Sequence, residues 1–276
     1  MAAASKTRIS LFVDDIRTLL RHTLVLVAHP DDEAAGCGAL LQRIADPLVI
    51  FATDGAPRSE FFWENYGSRE DYALTRSVEA DNALKTVGVR RFQFLLQDNP
   101  IVDQELYRNL DRAYEAIRLV LEEEMPHAIL SMAYEGGHPD HDACCFLASV
   151  AAEQFDLPLW EMPIYHRNDG RIERQRFLDD SGGIEIDVTR EELICKMNMF
   201  ASYDSQAEVL REFLPYIERF RPMKSYDFSR PPHLGTLNYE AWQWPMRGAE
   251  LCQAFFRFAQ SFVQSLVRKE PWGTAA

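Results

Sequence analysis

The sequence predicts an α/β protein built on a mostly parallel sheet with helices on both faces. Three observations carry this. Between Thr23 and about Pro163, short apolar runs alternate with helix-length amphipathic segments, which is the pattern of βαβ units. Two of the runs end in polar turns of similar make-up, Ala28-His29-Pro30-Asp31-Asp32-Glu33 and Gly137-His138-Pro139-Asp140-His141, where a parallel sheet presents its functional edge. Apolar residues are 47% of the 276, enough for a sizeable core, and no apolar run approaches a membrane span. The expected architecture is Rossmann-like, with a C-terminal hairpin and a helical extension.

Taken in order, the strands are expected at 23–28, 47–52, 91–96, 127–132 and 158–163. Helices are expected at 33–45, 68–87, 103–124 and 141–154. Ser68 followed by Asp71 resembles a capping box, and Leu106, Leu110, Ala113, Ile117 and Val120 lie on one helical face. After residue 165 the pattern changes. Arg171 to Phe177 and Ile184 to Val188 flank a Ser-Gly-Gly turn and suggest a hairpin. Thr189 with Glu192 caps a helix to about Phe200, residues 221–246 read as a long ordered loop, and an amphipathic helix runs from about Gly248 to Lys269. No repeat or linker interrupts the chain. One domain over 1–276 is expected, with a core of about 22–165 and an extension of about 166–276 that shapes the substrate site.

A net charge of −14 argues against a nucleic-acid partner, which needs a basic face. Five cysteines without a C-x-x-C pair argue against a disulfide framework or a thiolate metal site, so a cytoplasmic setting is expected. Cys144 and Cys145, at the start of an apolar helix, read as buried packing residues. Met1 to Arg8 has none of the basic-then-apolar character of a secretory leader. A homo-oligomer is compatible with all of this.

The two polar turns have a reason to meet. In a doubly wound sheet the first and fourth strands are neighbours where the strand order reverses, so loops distant in sequence face one crevice. Three histidines and three aspartates then converge, a ligand set for a divalent metal of hard-to-borderline character. A catalytic zinc needs three protein ligands and keeps a position for water, which leaves side chains for acid and base work. Together these are the parts needed to hydrolyse an amide.

At these residues the chain resembles the PIG-L/LmbE-like zinc-dependent deacetylases, which remove N-acetyl groups from N-acetylglucosamine conjugates. The resemblance spans about residues 22–165 and includes Thr53-Asp54-Gly55, Arg76-x-x-Glu79-Ala80 and Val87-Gly88-Val89. It implies metal ligation by His29, Asp32 and His141, with zinc the expected ion and ferrous iron the alternative. It implies Asp31 as general base and His138 as oxyanion stabiliser and general acid, with Asp140 orienting His138 by a hydrogen bond to its ring. It implies sugar or phosphate contacts from Arg76 and Asp98, although Gln97-Asp98-Asn99-Pro100 departs from the family's Pro-Asp-Gly pattern. The expected substrate is a small N-acetylated sugar conjugate. An amidase cutting a larger acyl group from a thiol or glycopeptide conjugate is the alternative.

Several residues have plainer readings. Glu33 reads as a brace of the loop, and Gly36-Cys37-Gly38 as close helix–sheet packing, since no third glycine completes a dinucleotide motif. His166 reads as structural. Phe61, Phe62, Trp63 and Tyr66 form either a lid over a sugar or a satellite core. Two histidines and a carboxylate also suit a non-haem iron oxygenase, but that reading expects an H-x-D motif on an all-β scaffold. A silent binding protein would not need acid, base and ligands together.

Overall fold

The computed structural model describes residues 15–179 and 182–269; Met1 to Arg8 and Ser181 of the expected turn lie outside the described residues. Strand β1 (His22–Val27) is followed by α1 (Asp32–Leu41), β2 (Asp46–Phe51), α2 (Arg69–Thr86), β3 (Arg91–Phe94), α3 (Leu110–Glu124), β4 (Ala128–Met132), α4 (Pro139–Phe155) and β5 (Leu159–Met162). Beyond these come β6 (Tyr165–Asn168), β7 (Arg171–Arg174), β8 (Ile184–Glu185), α5 (Arg190–Ser202), α6 (Ala207–Leu210), β9 (Arg219–Pro222), α7 (Asn238–Ala241) and α8 (Gly248–Lys269).

The main sheet has the order β3-β2-β1-β4-β5-β9-β8. Its first five strands are parallel, with Val25 level with Val49 on one side and Leu130 on the other. β9 and β8 extend it antiparallel. Right-handed crossovers then put α1 and α2 on one face and α3 and α4 on the other. α5 packs with α1 and α2, and α8 with α3 and α4. With helices on both faces, β1 and β4 are buried throughout, apart from partly buried His22, and this is why they read as unbroken apolar runs. β1 lies beside β4, so both polar turns emerge at one crevice.

Local chemistry sets the helix starts. Ser68 accepts the Asp71 N–H, and Thr189 and Glu192 form a reciprocal capping box. His138 is the N-cap of α4, its Nδ1 accepting the Asp140 N–H at 3.1 Å, with Pro139 at the first helical position.

Three expectations are corrected. The third helix begins at Leu110, not 103, because the Asp140 carboxylate takes the N–H groups of Gln104 (2.6 Å) and Leu106 (3.0 Å) and draws that backbone into the crevice. The hairpin is β6–β7, with Asn168 opposite Arg171, and not 171–177 with 184–188. Asp169 and Gly170 both have positive φ, which makes a two-residue loop matching the twist of the flanking strands. Residues 184–185 pair instead with β9 at the sheet edge.

Helix α1 is kinked at Cys37 (φ −145°, ψ 21°). The kink frees backbone donors inside the fold, and Glu218 supplies the acceptors: its carboxylate takes the N–H of Ala39 at 2.6 Å and of Leu40 at 2.9 Å. Lys196, fully buried on α5, pairs with the same carboxylate at 2.6 Å. Gly36 lets this helix close on β5: a Cβ there would lie 2.6 Å from Met162 Sδ. Cys144 and Cys145 are buried, and all five cysteines are free thiols.

Candidate metal centre and active site

β1 ends at Val27 and the chain turns through His29 into α1, whose first residue is Asp32. A short helix start so close to the strand leaves both side chains at the crevice floor. The Asp32 carboxylate bridges two rings: Oδ2 is 3.2 Å from His29 Nδ1 and Oδ1 is 3.1 Å from His141 Nε2. It also accepts the His29 backbone N–H at 2.8 Å. His29, His138 and His141 offer ring nitrogens all within 4.8 Å of one another. The ring faces are fixed by aromatic neighbours, Trp244 edge-on to His138 at 5.0 Å and Tyr165 edge-on to His141 at 5.3 Å. Gly137 makes the second approach feasible, since a Cβ there would meet the Tyr165 carbonyl oxygen at 1.9 Å.

Asp31 precedes α1 with φ +116°, a left-handed conformation that costs a residue with a Cβ roughly 1–3 kcal/mol. Its neighbours hold it there. Its N–H donates to Glu33 Oε2 at 3.0 Å, and Tyr203 of the C-terminal third donates to Glu33 Oε1 at 2.6 Å. Arg76 donates to the Pro30 carbonyl at 2.5 Å and places Nη1 3.4 Å from Asp31 Oδ2.

Electrostatics separate the groups. Burial pushes the Asp31 carboxyl up to about 6, against the pull of the Arg76 guanidinium. Burial works the same way on Asp32, but the His141 and His29 rings hold it well below the usual carboxylate range. Burial disfavours charge on His29, yet Asp103, Asp140 and Asp32 raise it well above a free imidazole. Burial and the neighbouring His29 push His138 down. Burial lifts Glu33 to about 8 despite the Tyr203 hydrogen bond.

The residues present fit a divalent cation. Asp31, Asp32, Asp103 and Asp140 are four buried carboxylates beside three imidazoles, with the Arg76 guanidinium set against them. Such a concentration of buried negative charge needs compensation by a cation. The donors are nitrogen and oxygen, as zinc or ferrous iron would accept.

Several expected roles fall differently. Asp140 lies in the cluster, but its carboxylate faces His29 Nε2 (3.3 Å) and the Gln104 and Leu106 N–H groups. What holds the His138 ring is the backbone N–H of Asp140, not its side chain. Asp98 is exposed in the loop after β3 and does not line the crevice. Besides Asp31 and Asp32, a third carboxylate does, Asp103, 3.2 Å from His29 Nε2 and 3.4 Å from His138 Nε2. Asp103 is hidden in the sequence because its position reads as the start of a helix; the available signal is an acidic residue directly after the apolar pair Ile101-Val102. Arg76 lines the cavity, with its guanidinium engaged by the Asp31 loop. Glu79 ties α2 to Ser205 at 2.6 Å. His166 is buried with Nδ1 3.5 Å from Glu135, a structural setting. Of the aromatic group, Phe62 lines the cavity and packs near Trp244, Tyr66 packs on Tyr72, and Phe61 is 76% exposed. The cavity over this floor measures about 250 Å³.

Residues 24–152 match the profile of the family described as PIG-L, GlcNAc-PI de-N-acetylase. A probable N-acetyl-α-D-glucosaminyl L-malate deacetylase 2 of Bacillus cereus is 24% identical over 197 residues, which is 70% of this chain and 86% of that protein. Its counterpart in Bacillus subtilis is 26% identical over 212 residues, 73% of this chain and 91% of the relative. Among solved structures, the A40926 pseudoaglycone deacetylase superposes with a TM-score of 0.60 at 20% identity, covering 75% of this chain and 98% of that one. This last likeness concerns the fold. The family profile lies across both polar turns and the strands that carry them, so residues 24–152 are similar to the PIG-L (LmbE-like) family.

Proposed function

We propose that this protein is a metal-dependent N-deacetylase of an N-acetylglucosamine-type conjugate, with His29, Asp32 and His141 as ligands of zinc. The observation that carries the reading is the Asp32 carboxylate bridging His29 and His141 on the floor of a cavity that also holds Asp31 and His138. The family and the named activities of the Bacillus relatives support the amide as the bond cut. Bound there, a divalent cation polarises the amide carbonyl and makes a water more acidic.

The side chains supply the rest. Asp31 takes a proton from the attacking water, and its strained, braced backbone keeps its carboxylate aimed at the floor. His138, with Asp103 beside its Nε2, donates that N–H to the developing oxyanion, and the proton taken up by Asp31 returns to the departing nitrogen, so that acetate and a free amine leave. Asp103 orients both His29 and His138 from one oxygen, and Arg76 positions the Asp31 loop. We read residues 1–276 as one catalytic unit, supported by β8 and β9 extending the main sheet and by Tyr203 and Trp244 reaching the site. The free thiols support a cytoplasmic location.

Release of acetate and free amine from N-acetylglucosamine conjugates, with and without chelator, tests the activity. His141→Ala should lose the metal by elemental analysis. Asp31→Asn should keep the metal while hydrolysis falls by about 10²–10⁴. An Asp31→Asn enzyme as active as the parent would sink the base assignment.

A further inference from the structure

An acetyl group brings one methyl to the floor, yet the whole cavity above it measures about 250 Å³, against the roughly 10–15 Å³ that a single water needs on the same measure. Its two sides differ in chemistry. Toward the β6–β7 hairpin and α6 the wall is Ile172, Val209, Leu210 and Phe213. The polar groups on this side have partners within the protein. Gln206 donates to the Tyr72 hydroxyl at 2.6 Å. The Arg174 guanidinium lies 5.9 Å from the Phe213 ring centre and pairs with Glu212 at 3.6 Å. A sugar hydroxyl pressed against this wall would lose its water without regaining a partner, at a cost of about 1–3 kcal/mol.

On the opposite side the cavity is continuous with an outer one of about 700 Å³ that shares Phe62, Asp103, Gln104, Trp242 and Trp244 with it. That outer space adds Arg58, Gln243 and Glu105 to the paired indoles, whose ring centres are 5.1 Å apart. Aromatic faces interleaved with polar side chains suit a hydroxylated ring. The amide would therefore lie across the floor with its sugar outward and its acyl carbon toward the apolar wall.

We propose that the chamber between the β6–β7 hairpin and α6 is an acyl-chain site, and that the enzyme prefers N-acyl groups longer than acetyl. The proposal rests on the amide-hydrolase reading above and extends it to the leaving acid. Each methylene buried there should raise kcat/KM up to about fourfold, because the contact is made in both the bound and the transition state.

The test is a series of aryl glycosides of N-acetyl-, N-butanoyl-, N-hexanoyl- and N-octanoylglucosamine, followed by free-amine formation on the metal-loaded full chain. The expected kcat/KM for hexanoyl exceeds that for acetyl by at least about tenfold. Val209→Trp and Ile172→Trp, each enlarging an apolar side chain of this wall, should bring that ratio close to one. Should either variant fail to fold, the series on the parent enzyme still decides. In parallel, acetate, hexanoate and octanoate are titrated against the metal-free protein by tryptophan fluorescence, with tighter binding expected for each longer acid. Acetyl as the best substrate, with acids binding independently of length, overturns the acyl site and leaves deacetylation standing. Hydrolysis of no glycoside, alongside length-dependent binding of the acids, overturns the amide reading and with it the acyl assignment.

Discussion

Replacing Glu218 with alanine should destabilise the protein by roughly 3–5 kcal/mol, the loss found when one partner of a buried ion pair is removed. The structure sets the size. Glu218 is 1% exposed and serves three donors: the Ala39 and Leu40 N–H groups at the α1 kink and the Lys196 ammonium. Alanine leaves Lys196 with only the Ala35 carbonyl at 3.2 Å, and leaves two buried N–H groups without that acceptor. An unmade buried hydrogen bond costs about 1–3 kcal/mol. The terms overlap, so they are not added and the ion-pair figure is the expectation. Reversible urea unfolding measures it, with the midpoint falling and the slope unchanged. Combining Glu218→Ala with Lys196→Met should cost less than the two single changes added together, since the double variant buries no unpaired charge. A Glu218→Ala loss below about 1 kcal/mol, or strictly additive effects, would refute the view that this carboxylate restarts the broken helix. The consequence reaches the site, because the first turn of the same helix carries Asp32.

Other outcomes follow from particular contacts. Asp103→Asn should lower hydrolysis or metal affinity about 10–100-fold, since the carboxylate faces both His29 and His138; metal titration beside kinetics separates the two effects. Arg43 grips Glu192 through two nitrogens and holds its carboxyl down at about 2. The pair's stabilisation, at most about 1 kcal/mol for a partly solvated bridge, is therefore whole above the unfolded glutamate pKa near 4.3 and fades as pH falls from there toward 2. Parent and Arg43→Met melting curves should accordingly converge across that window. Gly36→Ala should destabilise by about 1–3 kcal/mol through overpacking against Met162, read as a lowered melting temperature.

Much of the fold was legible because the buried strands and the capped helices announce themselves locally. The runs at 24–27 and 128–130 are apolar on both faces because helices cover both faces of the sheet. Ser68 and Thr189 mark their helices through bonds spanning three residues. The two histidine-aspartate turns were visible for the same reason, each lying within nine residues of a strand end. The hairpin could have been read as well: Asp169-Gly170 is a two-residue turn signal, overlooked for the more glycine-rich stretch downstream.

The rest depends on contacts between segments far apart. Asp103 enters the site because Asp140, 37 residues later, pulls the intervening backbone out of helical form. The strained Asp31 is held through Glu33 by Tyr203, and His138 faces Trp244 from the C-terminal third. The sequence by itself determined the alternation of strands and helices and the chemistry of the two turns, since both are written in neighbouring residues. Only the tertiary structure decided which carboxylates share the crevice, what braces Asp31 and which side chains wall the cavity. Those depend on free energies of burial and pairing that exist only once distant segments have excluded water together.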